Sequence, residues 1–333
     1  MTSLREVARA AGVSVATASR VASGSTPVRE ETRLRVERAM RDLLYVPPSK
    51  PATADAIGLL VPELANPIFP ALAQAMETKA TSHGLASILC NTEGDADTEA
   101  EYVHMLLERR VGGMVFISCE VTDLRGHHLH YRRLLAEGAK LVFVNGANEE
   151  FEVPTVGVDE RASGYIATQH LIELGHRRVG FVAGPEWVLS TKEKAAGREA
   201  ALRVAGLDGV ELIGHGTFSV EGGRAGLRAL LERTDPPTGV ICSSDLMAIG
   251  ALLEAASRGL EVPGDLSIVG FDGIDAATWT QPSLTTIEQP IGDIAATAID
   301  ALVTMIREPD RSLPGYVFRP QLRVGGSTAP PPA

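Results

Sequence analysis

The residues best spaced for chemistry lie at the start of the chain, and they suit hydrogen bonding at helix ends. Ser3-Leu4-Arg5-Glu6 has the capping-box form. The Ser3 hydroxyl can accept the Glu6 amide proton, and the Glu6 carboxylate can return to the Ser3 amide. Ser14, just after Gly12 and Val13, has the type and place of a second helix cap. Farther on, His127-His128-x-His130 holds metal-ligating side chains. No acid or cysteine stands near it at ligand spacing, so a solvated loop is expected. Cys90, Cys119 and Cys242 are an odd, scattered set beside apolar runs, which predicts reduced, buried thiols and a cytoplasmic protein. No G-x-G-x-x-G follows an apolar run, and neither G-x-x-x-x-G-K-[ST] nor G-x-S-x-G occurs. An enzyme is therefore not expected, nor a cofactor or metal.

The elements that must position these residues can be read from periodicity. Leu4, Val7, Ala8 and Ala11 recur at helical spacing, Gly12 can take the left-handed turn that ends a helix, and a second helix runs from Val15 to about Ala22. Two short helices around a tight turn make a helix-turn-helix, whose second helix lies in the major groove of DNA. A third helix, about Glu30 to Leu44, should close a small core with Leu34, Ala39, Met40, Leu43 and Leu44. The charge distribution agrees. The 333-residue chain is acidic at net −11, yet residues 1–50 hold nine basic and five acidic side chains, so this head is +4 and the rest −15. A basic head on an acidic body fits a head that meets a polyanion. No apolar run is long enough for a membrane span, and Met1–Ala10 has no signal-peptide core.

The run from Leu4-Arg5-Glu6-Val7-Ala8 through Ala16-Thr17-Ala18-Ser19-Arg20-Val21, with Tyr45-Val46-Pro47, resembles the headpiece of the lactose/galactose repressor (LacI/GalR) family. The resemblance implies DNA-binding roles for Ser3, Ser14, Val15, Ala16, Thr17, Ser19, Arg20 and Arg29. Val15 and Ala16 would face base edges, Arg20 would reach a guanine, and Thr17 and Ser19 would hold phosphates. Arg29 stands where the family has a serine that caps the third helix; it can bring charge to a phosphate but cannot cap. The linker departs further. Pro47-Pro48-Ser49-Lys50-Pro51-Ala52-Thr53-Ala54-Asp55-Ala56 is about five residues shorter than the family's and lacks its leucine wedge. Its prolines predict a stiff, extended connection.

From Ile57 on, short apolar runs alternate with helical stretches, the pattern of parallel sheets covered on both faces. Nine candidate strands, from Ile57–Val61 to Leu266–Phe271, are too many for one ordinary sheet, so two doubly wound lobes are expected, with a ligand between facing strand ends. Here too the family resemblance holds, in Asn66-Pro67-Ile68-Phe69, Leu174-Gly175-His176-Arg177, Ser244-Asp245-Leu246-Met247-Ala248 and Val269-Gly270-Phe271-Asp272. It implies an α/β fold: a helix-turn-helix headpiece plus a two-lobed body like the periplasmic sugar-binding proteins. The expected boundaries are 1–46 for the headpiece, 47–56 for the hinge, 57–157 with 288–316 for the N-terminal lobe, 158–287 with 317–327 for the C-terminal lobe, and 328–333 for a disordered tail.

The function implied is that of a sequence-specific transcriptional regulator, a repressor. It would be a homodimer on a palindromic operator in double-stranded DNA, controlled by a small-molecule effector, a sugar or sugar derivative. The effector cleft would include Ile68, Phe69, Asn145, Ser190, Lys194, Phe218, Ser244 and Asp272, with Asp245 as a helix cap. The family's interface would place Asn66–Met76, Phe116–Ser118 and Asp245–Ala256 against a second copy. Lys194 replaces the family's sugar-holding arginine, and Arg198, Asn145 and Ser244 are further changes. An anionic group on the ligand would suit Lys194 and Arg198.

Overall fold

The computed structural model describes residues 4–23, 28–43, 55–146, 151–207 and 211–332. Ser3, Leu44, Tyr45–Pro47 and most of the linker lie outside them. The chain divides into two compact units that part at residues 53–54.

The first unit holds α1 (Leu4–Ala11), α2 (Val15–Ser23) and α3 (Glu30–Asp42). Gly12 takes φ +64°, and its amide and that of Val13 donate back to Arg9 and Ala8, closing the turn between the first two helices. Val7, Ala8, Ala11, Ala18, Val36 and Ala39 form the core, edged by Met40 and Leu43. Leu34, expected in that core, is 52% exposed. The inward stripe of α3 is Val36, Ala39, Met40 and Leu43, spaced three and four apart, and Leu34 is out of phase with it.

The second unit contains two six-stranded sheets. The first lobe comprises β1 (Ala56–Val61), α4 (Ile68–Ser82), β2 (Ala86–Asn91), α5 (Ala96–Glu108), β3 (Met114–Ile117), α6 (Leu129–Ala136), β4 (Leu141–Val144) and β5 (Thr155–Val158). The second comprises α7 (Glu160–Glu173), β6 (Val179–Ala183), α8 (Leu189–Val204), β7 (Ile213–His215), α9 (Val220–Leu231), β8 (Gly239–Cys242), α10 (Asp245–Ser257), β9 (Ser267–Asp272), α11 (Ala276–Trp279) and β10 (Thr285–Glu288). The chain then returns to the first lobe with α12 (Ile291–Arg307) and β11 (Tyr316–Phe318), and ends in the second with β12 (Gln321–Arg323). The sheet orders are β11-β5-β4-β3-β1-β2 and β12-β10-β9-β8-β6-β7. All neighbours are parallel except β12, which runs antiparallel to β10 at the edge. Strands such as β3 and β4 are buried at every position, as a sheet covered on both faces requires.

Four expectations are corrected. Val317 and Phe318 belong to the first sheet, so the last crossing comes after them. The stretch around His127–His130 is not a solvated loop: it leads into α6, and His128 is buried. Phe116 cannot reach a second copy, because it is fully buried with its ring 5.0 Å from that of Tyr131 and 5.9 Å from that of Phe143. The tail is ordered over its described residues. Ser327 is wholly buried and donates to the Ile268 carbonyl, and the Ala329 carbonyl lies 2.9 Å from His176 Nε2. These bonds satisfy polar groups at the end of β9 that would otherwise be buried without partners. Cys90, Cys119 and Cys242 are buried free thiols.

Candidate functional site

In the first unit, Ser14 caps α2: its hydroxyl accepts the Thr17 amide at 3.1 Å and lies 2.9 Å from the Thr17 hydroxyl. Capping leaves the outer face of α2 exposed to solvent. Val15 is 45% exposed, and Ala16, Ser19 and Arg20 are exposed beside it. Arg20 Nε reaches back to the Ala16 carbonyl at 3.4 Å, which keeps the guanidinium on that face. Small side chains beside one arginine allow close approach to a groove floor. Arg29 is exposed before α3 and contributes its carbonyl to the first turn, accepting from Thr32 and Arg33. Ser3 lies outside the described residues.

The second unit encloses a cavity of about 440 Å³ between its lobes. Its walls are residues at and beyond the C-terminal ends of β1 to β10, and the sheet order reverses at β1/β3 and at β6/β8. Strand ends at such reversals diverge and leave a crevice. All eight expected cleft residues line it. Ile68 and Phe69 open α4, Asn145 follows β4, Ser190 and Lys194 lie on α8, Phe218 precedes α9, Ser244 precedes α10, and Asp272 ends β9.

Across the floor runs a hydrogen-bonded chain. Asn145 Nδ2 donates to Gln289 Oε1 at 3.3 Å, and Gln289 Nε2 donates to Asp272 Oδ1 at 2.9 Å. Gln289 sits at the crossing between β10 and α12, so the chain joins the two lobes at their connection. Asn145 Oδ1 is buried with no partner among the described residues. Asn145 and Asp272 hold φ of +56° and +121°, conformations that side-chain-bearing residues adopt at a cost and that cluster at binding sites. Burial pushes the Asp272 carboxyl well up, Asp245 adds to this, and Lys194 opposes it.

Lys194 is placed by helix packing. Gly164 of α7 meets the Lys194 carbonyl, and Gly197 of α8 meets the Arg161 carbonyl, so neither position has room for a Cβ and the two helices touch backbone to backbone. The contact brings Lys194 Nζ within 2.9 Å of Glu160 Oε2 and 3.6 Å above the Phe271 ring. Burial raises the Glu160 carboxyl, and Lys194 draws it back down. The lysine charge is therefore already matched. Arg198, expected beside it, faces away from the cavity: its guanidinium donates to the Val179 carbonyl at 2.8 Å inside the lobe, and burial pulls it down to about 10. The charged lining consists of Glu63, Asp95, Glu120, Asp123, Glu160 and Asp272 against Arg125 and Lys194. An anionic ligand, expected from Lys194 and Arg198, does not fit this excess of carboxylates.

Asp245 is not the cap of α10; the Ser244 hydroxyl accepts the Met247 amide at 3.3 Å. Asp245 is buried and accepts from the amides of Gly273 and Ile274 at 2.8 and 2.9 Å and from the Thr286 hydroxyl at 2.6 Å. It anchors the loop behind Asp272, and burial raises its carboxyl to about 7. Behind the opposite wall, His128 bonds Glu120 at 3.0 Å and His130 bonds the buried Glu99 at 3.0 Å. No group of three ligating side chains among the described residues could hold a metal ion.

Sequence reading missed Gln289, Glu120, Arg125 and Trp187 in the cavity wall. Gln289 alone had a signal, its place just after the expected lobe boundary at residues 287–288.

Residues 3–48 match the family described as "Bacterial regulatory proteins, lacI family", and residues 168–328 match "Periplasmic binding protein-like domain". An uncharacterized HTH-type transcriptional regulator in the aml 5' region of Streptomyces limosus is 41% identical over 98% of this chain and 94% of its own length. The HTH-type transcriptional regulator MalR of Streptomyces coelicolor is 36% identical over 99% and 98%. The HTH-type transcriptional repressor CytR of Escherichia coli is 32% identical over 98% and 96%. Among solved structures, the transcriptional regulator CelR–cellobiose complex is 30% identical with a TM-score of 0.75, covering 98% of this chain and all (100%) of its own. The lac repressor dimer bound to operator shares the fold at a TM-score of 0.84 and 24% identity, over 98% and 99% of the two chains.

Proposed function

The chain belongs to the lacI family of bacterial regulatory proteins, and on that premise we propose that it is a cytoplasmic transcriptional repressor, not an enzyme, whose hold on DNA is set by a neutral sugar or oligosaccharide in the inter-lobe cavity. Val15, Ala16 and Arg20 read bases, while Ser3, Ser14, Thr17, Ser19 and Arg29 contact or position phosphates. One short helix reads few base pairs, so a homodimer on a palindromic operator is required. Leu253 and Trp279, 47% and 78% exposed, offer apolar surface to a second copy. In the cleft, Asn145, Asp272, Ser190 and Ser244 bond hydroxyls, Ile68, Phe69 and Phe218 pack on the sugar faces, and Lys194 donates while paired.

The observation that carries this reading is the Asn145–Gln289–Asp272 chain. It leaves acceptors on the cavity floor for a ligand rich in hydroxyl donors. The ligand acts on DNA affinity only through its different affinities for the two lobe arrangements.

Thermal shift tests the ligand. At a hundred times its dissociation constant, a ligand adds about 2.7 kcal/mol. Cellobiose, ribose and their phosphates form the panel, with neutral sugars expected to stabilise and the phosphates not. Stabilisation by a phosphate alone overturns the neutral-ligand reading. Selection of bound duplexes from a random pool tests the head; no enrichment of a palindrome overturns the DNA reading.

A further inference from the structure

At the cavity mouth, away from the chain crossings, the lobes meet a second time. The loop after β3 carries Asp123, Leu124 and Arg125, and the loop after β6 carries Trp187 and Val188. Leu124 donates its amide to the Trp187 carbonyl at 2.8 Å, and Asp123 and Val188 form an isolated antiparallel bridge. The Arg125 guanidinium lies 4.1 Å from the Trp187 ring centroid. Asp123 holds it there through Nε at 3.0 Å and Nη2 at 2.6 Å, while accepting the Arg125 amide at 2.8 Å. Hydrogen bonding to Arg125 keeps the Asp123 carboxyl below its usual range against the opposing effect of burial.

We infer that Arg125 and Trp187 form a latch across the cavity mouth that holds the lobes closed and sets how fast ligand exchanges. The inference rests on the reading of the cavity as the effector site. Its geometric basis is the position of the contact. The chain crosses between lobes beyond β5, β10 and β11, and opening about those crossings must part Leu124 from Trp187. Trp187 also stands just ahead of α8, so the latch fixes the end of the helix that carries Ser190 and Lys194. Arg125 is 61% exposed and Trp187 43%, so the contact is in water, weak enough to open on its own and selective for a planar cation over a ring.

The test uses the full chain with Trp279→Phe, which leaves Trp187 as the sole tryptophan reporter. Without ligand, hydrogen exchange of the peptide spanning residues 120–126 is compared in the parent, Arg125→Lys and Trp187→Leu. Both variants should exchange roughly three- to tenfold faster there, with β6 and β8 unchanged as internal proof of folding. Unchanged exchange in both overturns the latch. Dissociation of cellobiose, followed by Trp187 fluorescence, should quicken by a similar factor in Arg125→Lys; an unchanged rate overturns its control of exchange. If cellobiose and the rest of the neutral panel leave the parent's melting temperature unmoved, the sugar reading fails, while the ligand-free exchange result still decides the latch.

Discussion

Lys194 and Glu160 form a 2.9 Å ion pair in the cleft wall, with side-chain exposures of only 6% and 12%. Removing one partner of such a pair leaves the other buried and uncompensated, which costs about 3–5 kcal/mol. Lys194→Met should therefore lower stability by that order at pH 7 in urea unfolding. The double variant Lys194→Met, Glu160→Leu should recover most of the loss. The sign with pH follows from Glu160, whose carboxyl is raised by burial and loses the opposing lysine: the penalty shrinks as pH falls and Glu160 takes up a proton. A penalty that stays constant to pH 4.5 contradicts the assignment.

The small head separates packing from recognition. Val36 is fully buried and Leu34 half exposed. Val36→Ala should cost about 2 kcal/mol, whereas Leu34→Ala should stay within about 0.5 kcal/mol. Arg20→Ala should leave the melting of the head unchanged yet weaken binding to a selected operator by about 1–3 kcal/mol. Circular dichroism and a binding titration at fixed salt distinguish the three.

Gln289 should carry both binding and stability, since it is buried and bonds the buried Asp272. Gln289→Leu removes both bonds of the floor chain and leaves Asn145 and Asp272 to reorient. Affinity for any sugar that stabilises the parent should fall about tenfold, or 1.4 kcal/mol. Isothermal titration gives the answer, and an unchanged affinity removes the chain from the site.

His176 ties the C-terminal segment down. Its Nδ1 lies 2.9 Å from the Thr238 hydroxyl and its Nε2 2.9 Å from the Ala329 carbonyl. Burial lowers its pKa below the usual 6.5. A base with a lowered folded-state pKa contributes stability that is present above the unfolded value and lost as pH falls below about 6.5. The buried carboxylates have the opposite sign, since Asp245, raised to about 7, stabilises most at low pH. The difference between parent and His176→Gln isolates the histidine: it should shrink between pH 7.5 and 5 in thermal melts. Ser327→Ala, which leaves the buried Thr285 amide unpaired, should cost about 1–3 kcal/mol.

The sequence by itself determined what depends on neighbours along the chain. Ser14, Gly12 and the apolar spacing of Leu4, Val7, Ala8 and Ala11 specify a cap, a turn and a helix face within a few residues. The alternation of apolar runs and helical stretches specified two wound sheets, and so a cleft at their strand ends. Tertiary structure alone decided what depends on partners far apart in the chain. Arg198 turned inward because the Val179 carbonyl was within reach, and Lys194 was neutralised because Gly164 and Gly197 let two helices touch. His128 became buried and His130 partly so because Glu120 and Glu99 came to them, and Ala329 became ordered because Ser267 and His176 needed partners. Caps and periodicity are local energies of one segment; charge pairing and burial are set by whichever group the fold brings within a few ångströms.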